Sequence, residues 1–396
     1  MLEATLAFVW HVLQLLIGYN LVLPLILLNI YIVRKRQQPQ PTIAITEADY
    51  AIIVTAYQHT ALLPIVVNSL LKLNYSNYLI YIVADNCDVS NLHFNNDKVV
   101  LLRPEVVLAS NTKSHFYAID RFKRQHERLT IIDSDNLVDA DYLLALNKYF
   151  DLGFEAVQGE RKAKNLNTTY ACLDAARDVY YHFYDGQVLF GIGSSATLAG
   201  SGMAFTVVLY KSCLQHLDIS GAGFDKVLQN EIVTRKYRIA FTKNAIVYDE
   251  KTAASDQLVK QRARWINTWF KYFGFGFGLL AKGIGNANWN QFVFGLVLLR
   301  PPLFIFLILS LFCMGVNVLI NPLVALYWLL GFLMFIVGFL LSLLVSKTDS
   351  RIYQSLWNIP KFVFFQVLSL LKVRKANEVS VSTQHSYQKS IEEITN

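Results

Sequence analysis

Residues 4–33, 283–299 and 301–346 of this chain contain no Asp, Glu, Lys or Arg. Such runs suit a bilayer, whose hydrocarbon core of about 30 Å takes about 20 apolar residues as a helix. Arg34, Lys35 and Arg36 follow the first run at once, which places that end in the cytoplasm and the N-terminus outside. The run is too long for a signal-peptide core and has no basic region before it, so it reads as an uncleaved anchor. The run 301–346 is too long for one span. Asn317, Asn321 and Pro322 mark a turn within it, predicting two helices, 303–319 and 323–345, that go out and return to Lys347 and Arg351. Residues 355–374 have a shorter apolar run, broken by Lys361 and ended by Lys372 and Arg374. That pattern predicts a helix lying in the membrane interface.

The remaining sequence has nearly soluble composition. The chain has 36 basic and 29 acidic residues in 396, a net charge of +7, and the three runs together with Arg300 hold only one of these charges. Arg300 sits near a helix end, where it could snorkel to the surface. A globular domain of about 250 residues, an ordinary domain size, is therefore set between membrane segments. The basic residues cluster beside apolar segments, which favours anionic lipid over nucleic acid as their partner. Cys87, Cys172, Cys213 and Cys313 form no CxxC pair and read as reduced thiols facing the cytosol. The expected organisation is an anchor (1–36), a cytosolic domain (45–252), an interfacial helix and linker (253–300), two spans (301–346) and an amphipathic interfacial segment with a cytosolic tail (347–396).

Within 50–248, short apolar runs alternate with helix-like patterns. Strands are predicted at 50–55, 78–84, 99–102, 129–132, 154–158 and 238–242, and helices near 61–72, 113–124, 139–149, 169–184 and 225–235. Near-continuous apolar strands alternating with helices imply a mainly parallel sheet covered on both faces. Ligands of such sheets bind beyond the carboxyl ends of the strands.

Acidic residues stand at those ends. Strand 129–132 runs into Asp133-Ser134-Asp135. Two carboxylates so spaced suit a hard divalent cation shared with a diphosphate, although the same pattern also makes an Asx-turn. Strand 78–84 ends in Asp85-Asn86-Cys87-Asp88, which is either part of one nucleotide pocket or turn chemistry. Asp225 follows Gly221-Ala222-Gly223-Phe224. It is either a general base on a glycine loop or a helix-start acid that favours the macrodipole. Gly200-Ser201-Gly202 reads as a loop near an acceptor or a tight turn. Gln158-Gly159-Glu160-Arg161 reads as a lining of the acceptor path or a surface loop.

Gln261-Arg262-Ala263-Arg264-Trp265 precedes an aromatic amphipathic run. Gln261 and Trp265 share a helix face. Arg264 can reach a phosphate, and the Trp265 ring can pack on the C–H face of a sugar. A membrane-surface helix with Trp and Arg anchors is compatible with that reading.

The series Asp85, Asp133-Ser134-Asp135, Gly200–Phe205 (GSGMAF), Gly223-Phe224-Asp225 and QRARW, between membrane segments, resembles the membrane-bound family 2 glycosyltransferases. Cellulose, hyaluronan and chitin-oligosaccharide synthases belong there. The resemblance covers about residues 48–272, and its specific element is QxxRW. It implies an α/β fold, with a glycosyltransferase A-type (Rossmann-like) cytosolic domain, transmembrane helices on both sides and interfacial helices. It also implies roles. Asp85 and Asp88 would hold base or ribose, Asp133 the diphosphate, and Asp135 the metal, Mg²⁺ or Mn²⁺. Asp225 would be the base, with Glu231 as the alternative because Gly-Phe-Asp stands where the family has Thr-Glu-Asp. Gln261, Arg264 and Trp265 would bind diphosphate and acceptor sugar, Arg262 a further phosphate, and Lys113 the donor. Tyr57-Gln58-His59 departs from the family's usual Asn-Glu.

The implied reaction is inverting, metal-dependent transfer from a nucleotide-sugar, UDP-linked by the family's habit, to a growing β-linked glycan. The alternative is addition of one sugar to a lipid or polyprenyl-linked acceptor, favoured by only three confident spans. A non-catalytic nucleotide-sugar sensor is a third possibility. The location expected is a bacterial inner membrane with the catalytic domain cytoplasmic. The chain shows neither HExxH nor a Walker A loop, which argues against a zinc hydrolase and a P-loop enzyme.

Overall fold

The computed structural model describes residues 2–35, 47–219, 221–373 and 387–395. Arg36, Arg374 and the boundary between anchor and cytosolic domain lie outside the described residues. In chain order the elements begin with α1 (Leu2–Lys35), β1 (Tyr50–Tyr57), α2 (Leu63–Leu71), β2 (Tyr78–Asp85), β3 (Val99–Leu102), α3 (Asn111–Ile119) and β4 (Arg128–Asp133). Next come β5 (Leu137–Val138), α4 (Tyr142–Phe150), β6 (Ala156–Ala163), α5 (Thr169–Tyr181), a π-helical turn (His182–Val188), α6 (Leu189–Gly191), β7 (Met203–Thr206), α7 (Val207–Leu214), α8 (Phe224–Thr234) and β8 (Ile239–Asp249). Helices complete the chain: α9 (Ser255–Tyr272), α10 (Gly274–Gly285), α11 (Trp289–Leu299), α12 (Leu303–Ile320), α13 (Pro322–Val345), α14 (Ser350–Ser355), α15 (Ile359–Leu370) and α16 (Ile391–Thr395).

The strands form one sheet in the order β3-β2-β1-β4-β7-β6-β8-β5. β1 pairs in parallel with β2 and β4, and β6 with β8, while β7 runs antiparallel between β4 and β6. Thr55 lies opposite Asp133 and Tyr57 opposite Asp85, so the carboxyl ends of three strands meet at one edge. Alternate strand residues feed two cores. Ile52, Val54, Ile80 and Ile82 pack on one face, and Ala51, Ile53, Tyr81 and Ile131 on the other. This two-sided burial explains the near-continuous apolar strands.

Two strands were not expected. β5 has two residues, and β7 begins within Gly200–Phe205, whose glycines suggest a loop. β6 also continues through Gly159-Glu160-Arg161, which is therefore strand rather than surface loop. Gly159 is required there, because a Cβ would stand 2.3 Å from the Ala245 carbonyl oxygen.

Helices α1, α12 and α13 are long and apolar enough to cross a membrane. They share one apolar cluster with the π-helical turn, α10 and α11. Within it Asn317 Nδ2 and Trp328 Nε1 both donate to Gln14 Oε1, at 2.6 and 2.9 Å. Gly18 lets the Trp328 ring approach: a Cβ would sit 3.2 Å from it. The stretch expected as a linker after α9 is instead the pair α10 and α11, packed through Gly276, Gly283 and Gly295. α15 has 12 residues, too few to span about 30 Å at 1.5 Å each. It packs against α9 and α5. Arg300 does not snorkel; it is buried and paired with Asp185 of the π-helical turn.

Gln14→Leu removes one acceptor from two buried donors. It should cost roughly 1 kcal/mol and lower the melting midpoint in detergent; an unchanged midpoint would contradict the three-helix contact.

Candidate active site

A cavity of about 890 Å³ opens at the carboxyl edge of the sheet. Thr55, Tyr57 and Asp133 line it from the strands, Asp135 from the turn after β4, Asp225 from α8, and Gln261, Arg262, Arg264 and Trp265 from α9. Residues distant in sequence meet there because β4 ends beside β1 and α9 follows β8 across the sheet edge.

The Asp133–Asp135 turn is braced from β7's leading loop. Ser201 Oγ accepts hydrogen bonds from Asp133 N (3.1 Å) and Asn136 Nδ2 (2.7 Å). Gln158 anchors that loop, donating to the Ser201 and Gly202 carbonyls and accepting from Ala199 N. Lys164 Nζ donates to the Asp135 carbonyl oxygen at 3.0 Å. The donor chemistry fits a hard divalent cation: two carboxylates at one strand end, in a cavity with room for a diphosphate. Among the described residues no group of three or more His, Cys, Asp or Glu could hold a metal. Mg²⁺ or Mn²⁺ would complete its shell with phosphate and water oxygens.

Asp225 stands in the first turn of α8, mostly buried, with Lys226 Nζ 3.2 Å away. Gly223 caps this helix with φ +101°, and a Cβ there would meet Thr268 and Tyr272 of α9 at 2.6 Å. The glycine thus lets α8 press Asp225 towards α9. Glu231, two turns on, pairs with Arg235 and does not line the cavity.

On α9 the side chains have distinct environments. Thr252 Oγ1 donates to Gln261 Oε1 at 2.9 Å. Arg264 lines the cavity, and burial holds its pKa below the usual guanidinium value. Arg262 is buried and bonded to Asp174 of α5. Burial and Arg177 push its pKa down to about 10, against the pull of Asp174.

That carboxylate belongs to a network absent from the expected site. Lys251 pairs with Asp178 (2.5 Å) and Asp249 (2.6 Å), and Arg161 with the same two (3.2 and 3.6 Å). Arg177 pairs with Asp178 at 2.5 Å and Asp174 at 3.3 Å. Burial alone would raise the Asp178 carboxyl, but Lys251, Arg177 and Arg161 hold it well below the usual carboxylate range. One sequence signal existed: Asp174, Arg177 and Asp178 fall at i, i+3 and i+4 on an otherwise apolar helix face.

Asp85, Asp88 and Lys113 stand apart from this cavity. Asp85 is buried, and its two oxygens accept Leu108 N (2.9 Å) and Ala109 N (2.7 Å). It shapes the approach to α3. Asp88 accepts from Ser90 N and lines a smaller hollow with Arg103 and Glu105. Lys113 is exposed, 3.4 Å from Asp218.

The far end of the cavity changes character. Phe273, Phe275, Val297, Leu298, Leu303 and Phe304 line it, and the last two open the span α12. One continuous space therefore joins the strand-end carboxylates to an apolar wall at the head of a membrane helix.

A family model described as "Glycosyltransferase like family 2" matches residues 48–268. No curated protein matches the sequence. Among solved structures the chain is similar to mannosyltransferase PcManGT from Pyrobaculum calidifontis in complex with GDP-Man and Mn²⁺. The identity is 14%, covering 90% of this chain and 99% of that one, with a TM-score of 0.56. At that identity the likeness is one of fold. S. aureus TarS 1–349 in complex with UDP-GlcNAc also matches, at 13% identity over 59% of this chain and 66% of that one, with a TM-score of 0.41.

His182 lines the cavity and His115 lies in the core. Burial pushes both down to about 3, with Arg161 adding to the shift at His182. In the unfolded chain they protonate near 6.5. The folded state therefore binds fewer protons between these values, and the stability is complete above pH ~6.5 and lost as pH falls below it. Each histidine should contribute a slope of up to about 1.4 kcal/mol per pH unit. His182→Phe should flatten the fall in melting temperature between pH ~6.5 and ~5; a slope equal to that of the wild type would contradict this assignment.

Proposed function

The chain belongs to the glycosyltransferase-like family 2, with its A-type α/β fold, and we propose that it transfers a sugar from a nucleotide-sugar donor, UDP-linked, to a lipid-linked acceptor. The observation that carries this reading is the single cavity running from Asp133 and Asp135 to Leu303 and Phe304. A soluble donor is served at one end and an apolar tail at the other. A growing β-linked glycan is the second reading, favoured by Gln261, Arg264 and Trp265 lining the same cavity as in the synthase pattern.

The proposed roles follow from position. Asp133 and Asp135 would hold Mg²⁺ or Mn²⁺ at the donor's diphosphate end of the cavity. When bound, the cation neutralises charge on the leaving diphosphate. Arg264 adds a fixed positive charge where that negative charge develops. Asp225 takes the proton of the acceptor hydroxyl. In-line attack then inverts the anomeric centre without a covalent intermediate. Gln261 and Trp265 hold the acceptor sugar, by hydrogen bonding and by packing on its C–H face, and Arg262 supports this wall. Asp85, Asp88 and Lys113 form the donor's outer approach, with Asp85 acting through the loop it holds. The basic residues Arg34, Lys347 and Arg351 favour a cytoplasmic side for the catalytic domain, and a bacterial inner membrane is the location proposed.

The test supplies detergent-purified protein with a panel of UDP- and GDP-sugars, a divalent cation and an extract of membrane lipid. Released nucleotide and labelled product are measured. Expected results are turnover with one donor, label in the solvent-extractable lipid, loss of turnover on chelation, and a fall of about 10²–10⁴-fold in Asp225→Asn. Label in a water-soluble polymer would favour the growing glycan. Undiminished turnover in Asp225→Asn would contradict its role as base.

A further inference from the structure

We infer that Asp174 on α5 is a positioning residue: it sets the guanidiniums of Arg262 and Arg177 against the Trp265 ring and so fixes the acceptor wall of the cavity. The inference rests on the proposed role of Trp265. Asp174 is 2% exposed, and one of its oxygens, Oδ1, receives Arg262 Nη2 and lies 3.3 Å from Arg177 Nη2. The two guanidinium carbons lie 4.2 and 4.3 Å from the centre of the Trp265 ring, within the reach of cation–π attraction. Arg262 is equally buried, and its Nε and Nη1 have no hydrogen-bond partner among the described residues. The carboxylate of Asp174 and the flat ring are therefore what orient this guanidinium.

The arrangement crosses elements. Asp174 and Arg177 share one face of α5, while Arg262 and Trp265 lie on α9, which carries the acceptor wall. Arg177 has a second carboxylate, Asp178 at 2.5 Å, so its place does not depend on Asp174 alone. Arg262 has no second acid within salt-bridge distance among the described residues. Loss of the Asp174 charge thus releases Arg262 first, and with it one of the two cations that hold the indole. Burial would push the Asp174 carboxyl up, but Arg262 and Arg177 outweigh this and keep it ionised.

Two readouts test this, one independent of catalysis. The full chain is labelled with 5-fluorotryptophan, and the Trp265 resonance is identified among six by its loss in Trp265→Phe. In Asp174→Asn that resonance should shift and broaden while those of Trp10, Trp328 and Trp357 stay in place; an unmoved Trp265 resonance overturns the inference. In kinetics with a dodecyl β-glucoside acceptor, Asp174→Asn should raise the acceptor KM about tenfold, the effect of losing about 1.4 kcal/mol of binding. The donor KM should stay unchanged. A merely structural loss would lower the folded yield and leave both KM values at the wild-type level, which also overturns it. If Asp174→Asn does not fold, Asp174→Leu combined with Arg262→Met removes both charges together, a change that buried pairs tolerate. The double variant should show the same displaced resonance, and an undisturbed one overturns the inference. Absence of transfer by the wild type would instead refute the proposed function and leave the spectroscopic outcome to decide this point.

Discussion

Four cations and three carboxylates pair along the cavity wall: Lys251, Arg262, Asp174 and Asp178, which are buried, with Arg161, Arg177 and Asp249, which are half-buried. An unpaired charge in such a place would cost several kcal/mol. The fold meets that constraint by bringing four elements together. α5 supplies two acids and an arginine, β6 supplies Arg161, the end of β8 and the following turn supply Asp249 and Lys251, and α9 supplies Arg262. Each element also contributes to a cavity wall. The network therefore fixes how the sheet, α5 and α9 are placed relative to one another.

A second ion pair extends this logic towards the bilayer. Asp185 in the π-helical turn holds Arg300, just before α12. π-helical turns often occur at functional sites, and here the wider turn brings a carboxylate to the junction of the catalytic domain and the spans. Arg34 and Trp289 both donate to the Ile192 carbonyl oxygen, tying α1 and α11 to the same loop. Asp185 and Arg300 themselves line the cavity, whose walls run from carboxylates to phenylalanines within one space.

Much of this was readable from sequence because periodicity and strand-end position are local properties. The six apolar runs became strands, and Asp133, Asp135, Asp225, Gln261, Arg264 and Trp265 line one cavity because strand ends and helix starts put them at one edge of the sheet. β7 was not readable, since its four residues follow a glycine loop and gain their pairing from distant β4 and β6. Asp85 was readable as a strand-end acid, but its use depends on the backbone of residues 108–109, which sequence spacing does not reveal. The network around Asp178 needed three-dimensional partners. Its trace on α5, acids and an arginine on an apolar face, states that the charges are buried without saying what they meet.

The most direct test of the central claim is a structure in lipid nanodiscs with a nucleoside diphosphate and Mn²⁺. Metal density is expected at Asp133 and Asp135, diphosphate beside Arg264, and elongated lipid density along Leu303 and Phe304 in the same cavity. Nucleotide bound elsewhere, or a cavity closed between its carboxylate and apolar ends, would contradict it.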